Sequence, residues 1–250
     1  MECKNCNNEF VGNYCNECGQ KVMDRLTIKS LWRLIVDDVF EIDKGLLYTV
    51  KQLWISPGKT ALDFIHGRTK KYYSPLKYLI FWTAIYFILI SLLDFKDHES
   101  KSIKNLVFNS SRPFSPESFD DFGNLYLEVI SRYLDLFYFG MILFLKIVSY
   151  FIYRKRGFFF TELSVLYIYL LGQLVLILTL SIPLVYLFNN IAIYMLLPEM
   201  IVVLYLLFKS HKEFFADTWI KTIIKSLAIL YIGQLIYGAT AYVALNLIKI

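Results

Sequence analysis

The sequence has no glycine-rich phosphate cradle, no GxSxG nucleophile elbow and no HExxH signature, and it shows no internal repeat. The familiar phosphate-transfer and hydrolytic constellations are therefore missing. Histidine occurs only three times. Cysteine is absent beyond residue 18, and no apolar stretch of signal-peptide length precedes Met23. Charge is sparse as well, at 19% of residues, whereas 57% are apolar and 18% aromatic, with a mean hydropathy of +0.49. Soluble domains hold about 45–50% apolar residues. The excess excludes a soluble enzyme, a fibrous protein and a disordered chain.

What is present is a series of long apolar runs, at 76–93, 134–153, 163–188, 191–208 and 223–248. Each is near or above the roughly 18 residues that cross about 30 Å of hydrocarbon at 1.5 Å per residue. The pattern predicts an all-α integral membrane protein in three parts: a small N-terminal zinc ribbon at 1–22, amphipathic juxtamembrane helices at 23–75 and five transmembrane helices within 76–250. Lys and Arg are expected to concentrate in cytoplasmic loops. The segment before the first run is basic, and the loop 94–133 holds five Lys or Arg against seven Asp or Glu. Arg154-Lys155-Arg156 opens the next connector, and Lys209, Lys212 and Lys221 mark the last one. The distribution predicts a cytoplasmic N-terminus and an external C-terminus, and the chain otherwise looks bacterial, which would place it in the inner membrane. Pro198-Glu199 is expected to break the fourth run, and Pro183 to kink the third. The net charge of +5 is read as a membrane-surface signal, with no nucleic acid as partner.

All four cysteines fall into two knuckles, Cys3-x-x-Cys6 and Cys15-x-x-Cys18, separated by eight residues. Such a pair offers four thiolates to one tetrahedral Zn2+. Two disulfides would need an oxidising compartment, which a chain without a leader-like segment does not reach. Four protein thiolates leave no open coordination position, so a structural or adaptor role is expected for the ribbon.

Ile28, Leu31, Trp32, Ile35, Val36, Val39 and Phe40 form one helical stripe, and Leu46, Leu47, Val50, Leu53 and Trp54 form a second that stops at Pro57-Gly58. These helices are too polar to span; they would lie in the interface, pack beneath the bundle or receive a partner. Thr60-Ala-Leu-Asp63 is expected to open a third short helix as a capping-box variant. Arg68, Lys70 and Lys71 beside Tyr72 and Tyr73 then make a basic and aromatic collar suited to lipid headgroups. Within the spans, Lys146, Gln173, Glu199 and Gln234 stand near the centres, where an ionised group is costly unless paired. Matched depth predicts a Lys146–Glu199 ion pair with the two glutamines as neighbours. It would serve as interhelical glue or as a transport path.

The order Cys3-x-x-Cys6, Tyr14-Cys15-x-x-Cys18-Gly19-Gln20, Asp43-Lys44-Gly45 with Thr49 and Leu53, Pro57-Gly58, then Gly67-Arg68 and Tyr72-x-x-Pro75, resembles the bacterial membrane family named domain of unknown function 3667. The resemblance covers residues 3 to about 80. It departs at the collar, where Ile65-His66-Gly67-Arg68-Thr69-Lys70 stands in place of the more usual Gly-Lys-Arg. It implies a membrane protein and supplies no chemistry. A likeness of layout to Yip1-like five-span proteins implies a membrane-organising or partner-binding role. The expected function is a non-enzymatic adaptor that docks an unidentified protein partner through the ribbon, at the lipid bilayer and with homo-oligomerisation left open. The alternative is a small transporter or channel using Lys146 and Glu199. A lipid-acting enzyme is disfavoured because Asp63, His66 and His211 are scattered in sequence.

Overall fold

The computed structural model describes residues 1–22, 45–93, 134–187 and 192–248. The stripe expected over 28–40 and the loop 94–133 lie outside the described residues. Seven α-helices are described: α1 (Gly45–Ile55), α2 (Pro57–Ile65), α3 (Pro75–Leu92), α4 (Leu134–Tyr153), α5 (Phe160–Leu187), α6 (Ala192–Phe215) and α7 (Trp219–Ile248). A 3-10 turn, Arg154–Arg156, follows α4.

Helix starts follow from local chemistry. Pro57 and Pro75 occupy the first turns of α2 and α3, where a missing N–H costs nothing and the fixed φ suits the helix. Thr60 does not open α2. It lies inside the helix, with its hydroxyl donating to Ser56 O at 2.9 Å. The prolines, rather than the threonine, set the boundary.

Among the described residues three helices are both long and apolar enough to cross a membrane: Pro75–Leu92, Phe160–Leu184 and Trp219–Thr240. Between them α4 and α6, of 20 and 24 residues, return the chain. This is a multi-pass membrane protein. Its fourth apolar run is not broken at Pro198-Glu199, because α6 runs through both residues and on to Phe215. The charged residues from Lys209 onward suggest an exit at 208, yet Ser210, His211, Phe214 and Phe215 are all buried and keep the helix within the bundle.

α5 is the central helix, packed on α2, α3, α4 and α6. Leu163, Val165, Leu166, Tyr167 and Tyr169 are all buried, so most of the circumference of the helix is packed. Gly172 lets α3 approach: a Cβ there would sit 2.9 Å from Tyr78 Cε1. α7 lies against α4 and α6. α3, α5 and α7 begin at the end of the bundle that carries the cysteine knuckles, and α4 and α6 finish there. α2 is wedged between α5 and α6 at that same end.

Among the described residues no strand forms, which corrects the expected ribbon. Residues 1–22 make two knuckle turns, each closed by one antiparallel bridge, Glu2 to Glu9 and Tyr14 to Lys21. Each loop closes on itself within eight residues of chain, which leaves no length for a paired sheet.

Candidate functional site

The knuckles bring the four thiols together. Cys3 Sγ lies 3.6 Å from Cys18 Sγ, and Cys6 Sγ is 3.6 Å from Cys15 Sγ. All four sulfurs lie within 4.8 Å of one another. These separations are well beyond the roughly 2.05 Å of a disulfide. They are close to the S···S spacing of about 3.8 Å expected when four sulfurs stand about 2.3 Å from one tetrahedral ion. The cluster can thus hold a metal ion. Backbone N–H donors from Cys18 and Glu17 lower the Cys15 thiol to about 6. The Asn8 amide pulls Cys6 the same way, but desolvation and the three neighbouring thiols outweigh it and raise Cys6 to about 12.

The cluster is fastened to the collar. Gln20 is almost fully buried; its Nε2 donates to Thr69 Oγ1 at 3.0 Å, and its Oε1 accepts the Lys70 backbone N–H at 2.9 Å. Arg68 Nε donates to Lys4 O at 2.9 Å, and its guanidinium pairs with Asp63 at 3.2 Å. Tyr72 Oη donates to the other Asp63 oxygen at 2.8 Å. Lys70 and Lys71 stay exposed, as does Arg68. Tyr73 is different from the expected surface residue: it is buried, its N–H donates to Thr49 Oγ1 and its carbonyl accepts from Tyr169 Oη, both at 2.7 Å. An open cleft of about 820 Å³ separates the knuckles from the α4–α5 connector, and Lys4, Arg68 and Arg156 line it with Glu2, Asp63 and Glu162.

A polar layer crosses the bundle just inside its knuckle end. Tyr167 Oη on α5 donates to Ser149 Oγ on α4 at 2.7 Å and meets His211 Nε2 on α6 at 3.0 Å. His211 Nδ1 meets Ser226 Oγ on α7 at 2.7 Å. With the phenol donating to Ser149, the arrangement assigns the hydrogen to Nε2 and leaves Nδ1 to accept from Ser226. All four residues are buried, and each lies four to seven residues inside its helix end, so their depths coincide. Beside them the Asp217 side chain, only 3% exposed, pairs with Arg156 and with Lys225 at 2.7 Å. The Lys225 hydrogen bond, then the charges of Lys225 and Arg156, hold its carboxyl below the usual aspartate range.

The structure does not bring Lys146 to Glu199. Lys146 Nζ donates to Ser164 Oγ at 3.2 Å and lies 4.1 Å above the Phe160 ring. Glu199 lies beside Ser181. Ser164 and Ser181 stand seventeen residues apart on α5, about 25 Å at helical rise. The expected pair fails because α6 extends to Phe215, which shifts Glu199 toward the opposite end of the bundle. Gln173 Oε1 accepts from Tyr78 Oη at 2.6 Å, while its buried Nε2 has no partner among the described residues. Gln234 is exposed on α7. Sequence reading missed Ser149, Tyr167, Ser226 and Asp217 and set His211 aside. The common signal of Ser149, Tyr167, His211 and Ser226 is distance from the nearest helix end, which needs accurate helix ends to use.

Residues 43–87 are similar to a family described as a protein of unknown function (DUF3667). The match spans α1, α2, the collar and most of α3, and the knuckles lie outside it. It points to a membrane protein, and to neither a zinc-ribbon nor a Yip1-like family. No curated protein and no solved structure matches the chain.

Proposed function

We propose that the protein is a small, non-enzymatic membrane transporter or channel whose path crosses the polar layer of Ser149, Tyr167, His211 and Ser226. The observation that supports this reading is the continuous hydrogen-bonded chain across α4, α5, α6 and α7. Such a chain at one level of a membrane bundle, centred on a buried imidazole, has the chemistry of a proton-exchanging site or polar gate that a path would cross. It replaces the Lys146–Glu199 pair as the candidate path. The experiment is flux in proteoliposomes under imposed proton, sodium, potassium and chloride gradients, comparing the unaltered chain with His211→Gln and Tyr167→Phe. Gradient-dependent flux that falls at least tenfold in His211→Gln, with the fold retained, supports the path. Flux no higher than that of protein-free vesicles across all four gradients overturns it.

A second reading, the adaptor, is favoured by one observation: Val11 is 99% exposed and Tyr14 58% exposed on the knuckle surface. In this reading Zn2+ bound by Cys3, Cys6, Cys15 and Cys18 orders the knuckles, and they present Val11 and Tyr14 to a protein partner in the cytoplasm of a bacterial cell. Metal analysis of the purified protein and co-purification with Val11→Asp test it; an unchanged set of co-purifying proteins removes the adaptor role. Labelling Cys6 with a membrane-impermeant thiol reagent in metal-depleted spheroplasts tests the side. Labelling in intact spheroplasts would place the knuckles outside.

A further inference from the structure

We propose that α7 is the contact helix of a homodimer, with Gln234 hydrogen-bonding to Gln234 of a second copy. α7 carries two seams. Thr222, Ser226, Ile229 and Gly233 form the inner one: the first three are fully buried and Gly233 packs on Leu145. Two residues earlier at each step, and therefore on the opposite side of the helix, run Ile220, Ile224, Leu227 and Tyr231, all half or more exposed. The outer series continues through exposed Gln234 to Gly238, where an added Cβ would meet nothing within 4 Å.

Its spacing alternates four and three over the whole series, the heptad repeat by which parallel helices interlock. Lipid alone requires only apolar side chains on such a face. It also gives no partner to a primary amide, and Gln234 is the sixteenth of the thirty residues of α7, at the centre of the helix. Gln234 makes no hydrogen bond among the described residues.

The identity of the partner follows from symmetry and chemistry. Copies inserted in one orientation can be related by a two-fold axis along the membrane normal, which sets each seam residue against its own equivalent at the same depth. A carboxylate or ammonium there would meet its own charge. A carboxamide carries both donor and acceptor, so two of them satisfy each other, and a single polar seam position fixes the register. Gly238, one turn beyond, lets the backbones come close.

The test uses the full chain in liposomes of neutral phospholipid, with fluorophore-labelled protein diluted over several decades of lipid and counted by photobleaching steps. Two-step traces that become one-step on dilution are expected. Gln234→Leu should raise the dissociation constant roughly 3- to 20-fold, the range of intramembrane hydrogen bonds, and Gln234→Asn should recover part of the loss. A photo-crosslinking side chain at Leu227 should give a species of twice the chain mass, whereas one at Ile80 on α3 should not. One-step traces at every dilution would overturn the proposal. So would crosslinks from Leu227 that stay within one chain or go to lipid, and so would a dimer indifferent to Gln234→Leu.

Discussion

Glu213 on α6 accepts the backbone N–H of Gly58 on α2, with Oε2 at 3.0 Å from the nitrogen and 3.3 Å from that of Lys59. The N-terminus of α2 is thus capped by a carboxylate about 155 residues away in sequence, because Ser56 at its N-cap makes no side-chain bond. Orphan N–H groups at a helix start need acceptors, and an anion there also meets the favourable end of the helix dipole. The absence of a side chain at Gly58 makes the approach feasible: a Cβ would lie 2.6 Å from Glu213 Cβ and 2.7 Å from Phe214 N, and also against Ser210 O.

Gly58→Ala is therefore expected to push α2 off α6 and to cost about 1–3 kcal/mol, as overpacking does. Glu213→Ala removes the cap and should cost about 1 kcal/mol. Thermal unfolding in detergent checks both, and a Gly58→Ala protein as stable as the parent would show that α2 is not held in this place.

Asp217 gives the bundle an acid limb. Its carboxyl titrates below the usual aspartate range because Lys225 and Arg156 hold the anion. The stabilisation is fully present above the unfolded value of about 3.9 and is lost as pH falls from there through the folded value. Melting temperature plotted against pH should fall in this window, and the fall should be shallower in Asp217→Asn. The same fall in both proteins would assign the acid limb to other groups.

Lys146→Met and Glu199→Gln should act additively on stability, since their partners are about 25 Å apart along α5. Tyr167→Phe and His211→Gln should not, because the two groups share a hydrogen bond at 3.0 Å. A double-mutant cycle giving about 0.5–3 kcal/mol of coupling for the second pair and none for the first is the expected outcome. Coupling between Lys146 and Glu199 would mean that α5 does not separate them.

Much of this arrangement was readable from the chain, and the remainder turned on where helices stop. The thiol spacing, Pro57 and Pro75 act through neighbours a few residues away, so their effects are local and legible. The depth of Glu199 is not local. A boundary drawn at Lys209 ignores that Ser210 and His211 find partners inside the bundle, and those seven further residues of α6 displace the apparent midplane. The polar chain was hidden for a related reason: Ser149, Tyr167 and Ser226 are ordinary in sequence and acquire meaning only when four helices bring them to one level. Tyr73 was misplaced because an aromatic beside lysines resembles an interfacial anchor, and only its burial, with its backbone N–H and carbonyl bound to the Thr49 and Tyr169 hydroxyls, shows that it is not on the surface.

Removing metal from the cysteine cluster, or replacing Cys15 by Ser, should leave the melting temperature of the bundle nearly unchanged while loosening the collar. Hydrogen exchange should speed up at the Lys70 amide, whose acceptor is Gln20 Oε1. An amide that exchanges no faster after chelation would show that the collar keeps its shape without the knuckles.

Gln20 has a thermodynamic consequence as well. Its amide joins the cysteine turns to the loop of Arg68, Lys70 and Lys71, so an ion bound by the turns and an anionic lipid bound by the loop would share one set of bonds. If loading an ion tightens the attachment of Arg68, Lys70 and Lys71 to anionic lipid by some factor, that lipid must tighten ion retention by the same factor. The N-terminal turns would then lose their ion more readily from protein extracted into neutral detergent than from protein kept in an anionic bilayer.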